Sequence, residues 1–142
     1  MKKTTYHKLT KLIERIINEE NSPNVMKLEK LKSMILQKCP EMEFKGYENE
    51  IGTFDQEPGP DPYRIAFKMK GSTSSRGHTI AFHKSLTAGY VYSPLLRTWS
   101  TSFECRDSMG CLQIAKKFCE MVKNGKKINT NKEMLRLLGA NN

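Results

Sequence analysis

The chain has 142 residues, within the usual span of one domain, and is long enough to bury a core without metal or disulfide staples. Its hydrophobic fraction of 37% is modest, and its net charge of +9 with a sequence pI near 9.4 favours acidic partners: nucleic acid, an anionic surface or an acidic protein. No apolar run approaches membrane-spanning length, and the basic start MKKTTYHKLTKLIERI lacks the apolar stretch of a signal peptide. A soluble intracellular protein, cytoplasmic or nuclear, with no membrane partner is the expectation.

The charge is unevenly spread. Residues 1–39 carry nine Lys/Arg against four acids, residues 40–61 one against seven, and residues 62–142 fourteen against four. Cys39, Cys105, Cys111 and Cys119 are spaced by 66, 6 and 8 residues, which matches neither a CxxC metal knuckle nor a dense disulfide framework, so free thiols in a reducing compartment are expected.

In chain order, Leu9, Leu12, Ile13, Ile16 and Ile17 mark an amphipathic helix by their i, i+3, i+4, i+7, i+8 spacing. Asn21, Ser22 and Pro23 break it and start a second, striped by Leu28, Leu31, Met34 and Ile35 and ending at Cys39 before Pro40. A strand is predicted over Glu41–Tyr47, then an acidic loop over 46–62 containing the turn run PGPDP. The seven acids between Glu41 and Asp61 lack the spacing of a calcium loop, and no metal is expected there.

From Tyr63 the alternation is strict. Tyr63, Ile65, Phe67 and Met69 share one face; Arg64, Ala66, Lys68 and Lys70 share the other. GSTSSRG at 71–77 is a polar connection, and Ile80 and Phe82 mark the return strand. Tyr90–Tyr92 is a short aromatic strand. Beyond Ser93-Pro94, Arg97, Trp99, Thr101, Phe103 and Cys105 alternate with polar residues, which places Trp99, Phe103 and Cys105 toward the core. Ser108, with Asp107 beside it, caps a long helix striped by Leu112, Ala115, Phe118, Cys119 and Val122 and stopped by Gly125. Thr130 and Glu133 open a terminal helix carrying Met134, Leu135, Leu137 and Leu138, leucines that either close the core or dock a partner, including a second copy of the chain.

The expected architecture is therefore one α+β domain over 1–142. It has an antiparallel sheet of four to five strands in 41–105, packed against two N-terminal helices (1–39) and a long C-terminal helix within the helical region 107–142. The order helix, sheet, closing helix resembles the double-stranded RNA-binding domain, with Leu28–Gly71 and its GPDP at 59–62 standing where that family has a helix, a first strand and a GP-containing loop. Ser108-Met109-Gly110-Cys111-Leu112 stands where that family has a lysine cluster, so the resemblance covers element order and no residue is carried over.

Three kinds of chemistry are readable. GSTSSRG has the composition of a phosphate cradle, but Gly77 leads into a strand rather than a GK[ST]-helix start, which leaves Arg76 as a simple cation. His78 and His83 could exchange protons in phosphodiester cleavage, but five positions apart on a strand they point to opposite faces. Basic residues with interleaved aromatics carry the main expectation: a non-enzymatic protein binding RNA or DNA, without cofactor or metal, through Arg64, Lys68, Lys70, Arg76, Lys84, Lys116, Lys117, Lys126 and Lys127, with Tyr90 and Tyr92 placed to stack on bases. The alternatives are an interaction module, inhibitor or adaptor, binding an acidic protein, and a small histidine-dependent nuclease or phosphoesterase.

Overall fold

The computed structural model describes residues 23–71 and 77–140. Helix α1 (Pro23–Lys38) begins on a proline, whose missing N–H is no loss in a first turn, and buries Leu28, Leu31 and Ile35. Strands β1 (Met42–Glu48), β2 (Phe54–Asp55), β3 (Arg64–Met69), β4 (Thr79–His83), β5 (Ala88–Tyr92) and β6 (Ser100–Glu104) follow, then helices α2 (Ser108–Asn124) and α3 (Asn131–Leu138). The strands form one antiparallel sheet in the order β2-β1-β3-β4-β5-β6.

The helices lie on one face of this sheet because the strand alternation puts its large apolar side chains there. Ile65, Phe67 and Met69 of β3, Ile80 and Phe82 of β4, Val91 of β5 and Phe103 of β6 join Leu28, Ile35, Leu112, Phe118 and Met134 of the helices in a single buried cluster. A chain of edge-on contacts joins rings from four strands: Phe44–Phe67 at 5.6 Å, Phe67–Phe82 at 6.4 Å and Phe82–Phe103 at 5.6 Å. The last contact spans β5, and it does so through Gly89, which pairs with both Phe82 and Phe103. A Cβ there would lie 2.6 Å from Phe103 Cζ and 2.2 Å from the Ala81 carbonyl oxygen, so no residue but glycine fits without backbone movement.

Helix ends follow their local chemistry. Asp107, rather than Ser108, is the N-cap of α2, its carboxylate accepting from the Gly110 N–H at 2.8 Å, and Gly125 closes the helix at φ 71°. Thr130 caps α3 as its sequence predicts, accepting from the Glu133 N–H at 3.1 Å. Met134, Leu135 and Leu138 are buried in the core of their own chain, and only Leu137 of that group is exposed.

The structure corrects several expectations. The sheet has six strands rather than four or five: the loop between β1 and β3 contributes the short β2, whose Asp55 and Phe54 pair with Tyr47 and Glu48. The helix expected over Leu9–Ile17 lies outside the described residues, as does Arg76. No cysteine is free: Cys39 at the end of α1 is bonded to Cys119 in α2, and Cys105 after β6 to Cys111 in the first turns of α2. Spacing could not reveal the first pair, because its members are 80 residues apart and meet only when α1 packs on α2. The free-thiol basis for placing the protein in a reducing compartment is thereby removed. No helix among the described residues is long and apolar enough to cross a membrane.

Candidate nucleic-acid interface

The sheet face turned away from the three helices is ordered in rows by the strand register. A middle row of Gly46, Ala66, Ala81, Tyr90 and Ser102 runs across five strands, flanked by Glu48, Arg64 and His83 on one side and by Glu43, Lys68, Thr79 and Tyr92 on the other. Tyr90 and Tyr92 thus belong to the outer face. The Arg64 guanidinium lies 4.8 Å from the Tyr63 ring centroid and 5.5 Å from that of Tyr90, and it donates to Glu48 at 3.1 Å. Burial is the main cause that raises the Tyr90 phenol above its ordinary pKa, with the Glu48 carboxylate adding to it.

Three of the predicted cations on and beside the sheet are already engaged. Arg64 pairs with the buried Glu48, Lys68 with Glu43 at 3.1 Å, and Lys84 with Asp61 at 3.3 Å. Register imposes two of these pairs, since Arg64 stands opposite Glu48 and Lys68 opposite Glu43 on the neighbouring strand. Lys70, just past β3, is exposed and close enough to Glu41 to favour its ionised form. The expected cationic sheet face is in fact charge-balanced along its β1–β3 seam. The acidic stretch that sequence composition sets apart from the basic strand is folded directly onto it.

The remaining predicted cations lie elsewhere, on the helical side. Lys117 of α2 and Lys126 and Lys127 of the α2–α3 connection are exposed and make no ion pair with any described residue; Lys116 of α2 is half-buried and likewise unpaired. Lys117, Lys126 and Lys127, with Arg136, line a groove of about 350 Å³ between α2 and α3 that also contains Glu120 and Glu133. The predicted set therefore divides between two surfaces, one neutralised and one not.

An edge that the sequence reading missed extends the second surface. The segment joining β5 to β6 is a closed loop: the Ser93 N–H donates to the Trp99 carbonyl at 2.8 Å, and the Trp99 N–H to the Leu96 carbonyl at 2.9 Å. It is tied to the α2–α3 connection by Arg97 N–H to Ile128 O (3.0 Å), Ile128 N–H to Leu95 O (2.8 Å) and the hydrogen bond between the Thr98 hydroxyl and Asn131. Trp99 leaves this loop at φ 71°, a left-handed conformation uncommon for a bulky residue, and remains 46% exposed. Its strand alternation predicted a core position. The loop instead delays β6 to Ser100 and turns the indole outward, where it leans on Tyr92 at 5.8 Å and 37°. Arg97, Trp99, Lys127 and Asn129 share a cleft of about 310 Å³ that adjoins the groove through Lys127 and Ile128.

The two histidines are not brought together. His78 stands just before the five-residue β4 and His83 is its last residue, about 16 Å of strand away. His78 Nδ1 is 2.7 Å from the Ser93 hydroxyl and His83 Nδ1 is 2.7 Å from that of Ser85. The Ser85 N–H also donates to His83 Nδ1 at 3.1 Å, which makes that nitrogen an acceptor and closes a local turn. Burial lowers the pKa of both rings, and Lys84 and Arg64 add to the effect at His83.

Compared with known protein families, curated proteins and solved structures, the chain matches none. The functional reading rests on the site itself.

Proposed function

We propose that the protein binds nucleic acid, through the edge formed by Trp99, Arg97 and Lys127 together with the adjoining lysines Lys117 and Lys126. The observation that carries the reading is Trp99: a large aromatic side chain held outward on a hydrogen-bonded loop, against a second aromatic ring and between unpaired cations. An unstacked base offers a π-face to such a ring, and base–aromatic stacking contributes about 1–3 kcal/mol per base. Arg97, Lys126 and Lys127 supply the backbone neutralisation that makes binding salt-dependent. Because stacking needs an exposed base face, single strands or loops are the preferred form. The sheet-face cations Arg64, Lys68 and Lys84 serve mainly to hold the sheet and its adjoining loops to their acidic neighbours.

Trp99 is the only tryptophan in the chain, so its fluorescence reports on the site directly. Titration with single-stranded RNA or DNA should quench it, with an apparent affinity that falls steeply as salt is raised. An acidic protein partner would use the same cations without stacking. Absence of quenching and of any electrophoretic shift at low salt would remove the nucleic-acid reading.

A further inference from the structure

We propose that Cys39, Cys119 and Glu41 form a redox-gated site for a thiophilic divalent cation such as Zn²⁺. The three side chains meet where the end of α1, the start of β1 and the middle of α2 converge. Glu41 Oε2 lies 3.5 Å from Cys39 Sγ and 3.7 Å from Cys119 Sγ, and the candidate ligand atoms all lie within 4.8 Å of one another. The other carboxylate oxygen is held by the Lys123 ammonium at 2.8 Å, which fixes the rotation of the group and turns Oε2 toward the sulfurs.

This arrangement has little to offer a disulfide. Oxidised sulfurs carry no proton to donate, so the carboxylate oxygen gains no hydrogen bond from either. Reduced, the same three atoms become an S₂O donor set of the kind that suits zinc, with water as fourth ligand on the half-exposed Glu41 side. The backbone accommodates both states. The Cα atoms are 6.5 Å apart, toward the wide end for a disulfide, so side-chain rotation can move the sulfurs to the separation of about 3.8 Å that two Zn–S bonds of about 2.3 Å at a tetrahedral angle require. Both cysteines are nearly fully buried, which limits competing oxidation once a metal is bound. Sequence spacing hides the site, because its sulfur ligands are 80 residues apart.

In the gating step a dithiol reductant gives up two electrons and two protons and closes to its own disulfide, while the Cys39–Cys119 bond becomes two thiols. Zn²⁺ then displaces both thiol protons to solvent and is held by two thiolates and the Glu41 carboxylate. The site does not depend on the nucleic-acid reading.

The test is anaerobic titration with Co²⁺ of full-length protein reduced by a phosphine, read by near-ultraviolet thiolate-to-cobalt absorption. One equivalent should bind, be displaced by Zn²⁺ and fail to bind the oxidised protein. The C105S/C111S variant should keep the band, C39S and C119S should lose it, and E41Q should bind at least about 10-fold more weakly. A reduced protein without the band, a band that survives in C39S and C119S, or an E41Q affinity equal to wild type would each overturn the assignment.

Discussion

Trp99 sits in a backbone conformation that costs a non-glycine residue about 1 kcal/mol or more. A strained, exposed indole contributes little to the core, so its replacement separates folding from binding. Trp99→Gly should leave stability to denaturant unchanged or raise it by about 1 kcal/mol. The same variant should weaken single-strand binding by roughly 5- to 150-fold, the loss of one stacked base. Parallel urea melts and gel-shift titrations check both halves, and a variant that stays folded yet still binds normally would refute the assigned role.

The histidines give a second test on single residues. Both are held below the usual imidazole pKa, His78 by burial and His83 by burial together with Lys84 and Arg64. The unfolded chain then binds more protons than the folded one just below the ordinary imidazole pKa, so stability rises with pH through that window. Their contribution is complete above about pH 6.5, the unfolded value, and is lost as pH falls through the lowered folded values. Urea midpoints between pH 5 and pH 8 should show this slope, and H78Q/H83Q should flatten it.

Among the elements, β5 is the least tolerant of change, because the ring of Phe103 occupies the space above Gly89. Gly89→Ala should destabilise the fold by about 3 kcal/mol, measurable by thermal or chemical melts, while an Ala88→Gly control on the outer face should cost under about 1 kcal/mol. The disulfides differ in what they constrain. The bridge across 80 residues should contribute about 4 kcal/mol through the unfolded state and the six-residue bridge about 2 kcal/mol, so C39S/C119S should melt well below C105S/C111S.

These elements were unequally legible in the sequence. Period-two alternation gave β3 and β4 with their correct faces, and helical stripes gave α1, α2 and α3, because each signal is local and its apolar side is buried. β2 escaped because two paired residues in an acidic loop carry no periodicity. Alternation misplaced Trp99 because it assumes a continuous strand, whereas hydrogen bonds between Ser93, Leu96 and Trp99 close a loop there. The lysines of the candidate interface were visible as charge. Their division into paired and unpaired sets was not, since it depends on which acids the register brings opposite them.

For the molecule as a whole, net charge alone would attract any polyanion, and only the distribution of unpaired cations identifies a path. If the strand follows the groove from Lys117 to the Trp99 cleft, Lys126→Gln/Lys127→Gln should reduce the slope of log affinity against log salt by about 1.4 for a single strand, whereas Arg64→Gln/Lys68→Gln should change it by less than half as much. Equal effects from the two pairs would return the sheet face to consideration.

The bonds that join the 93–99 loop to the α2–α3 connection have a dynamic corollary. The amides of Arg97 and Ile128 lie on opposite partners of one two-stranded contact, so neither can be released to solvent without opening the other. Their hydrogen-exchange rates should rise and fall together, across 30 intervening positions, and both should slow when a ligand seats against the indole. Loosening α3 from below would then be felt at the tryptophan as lost order rather than as a lost contact, which makes the short terminal helix the keel of the recognition edge.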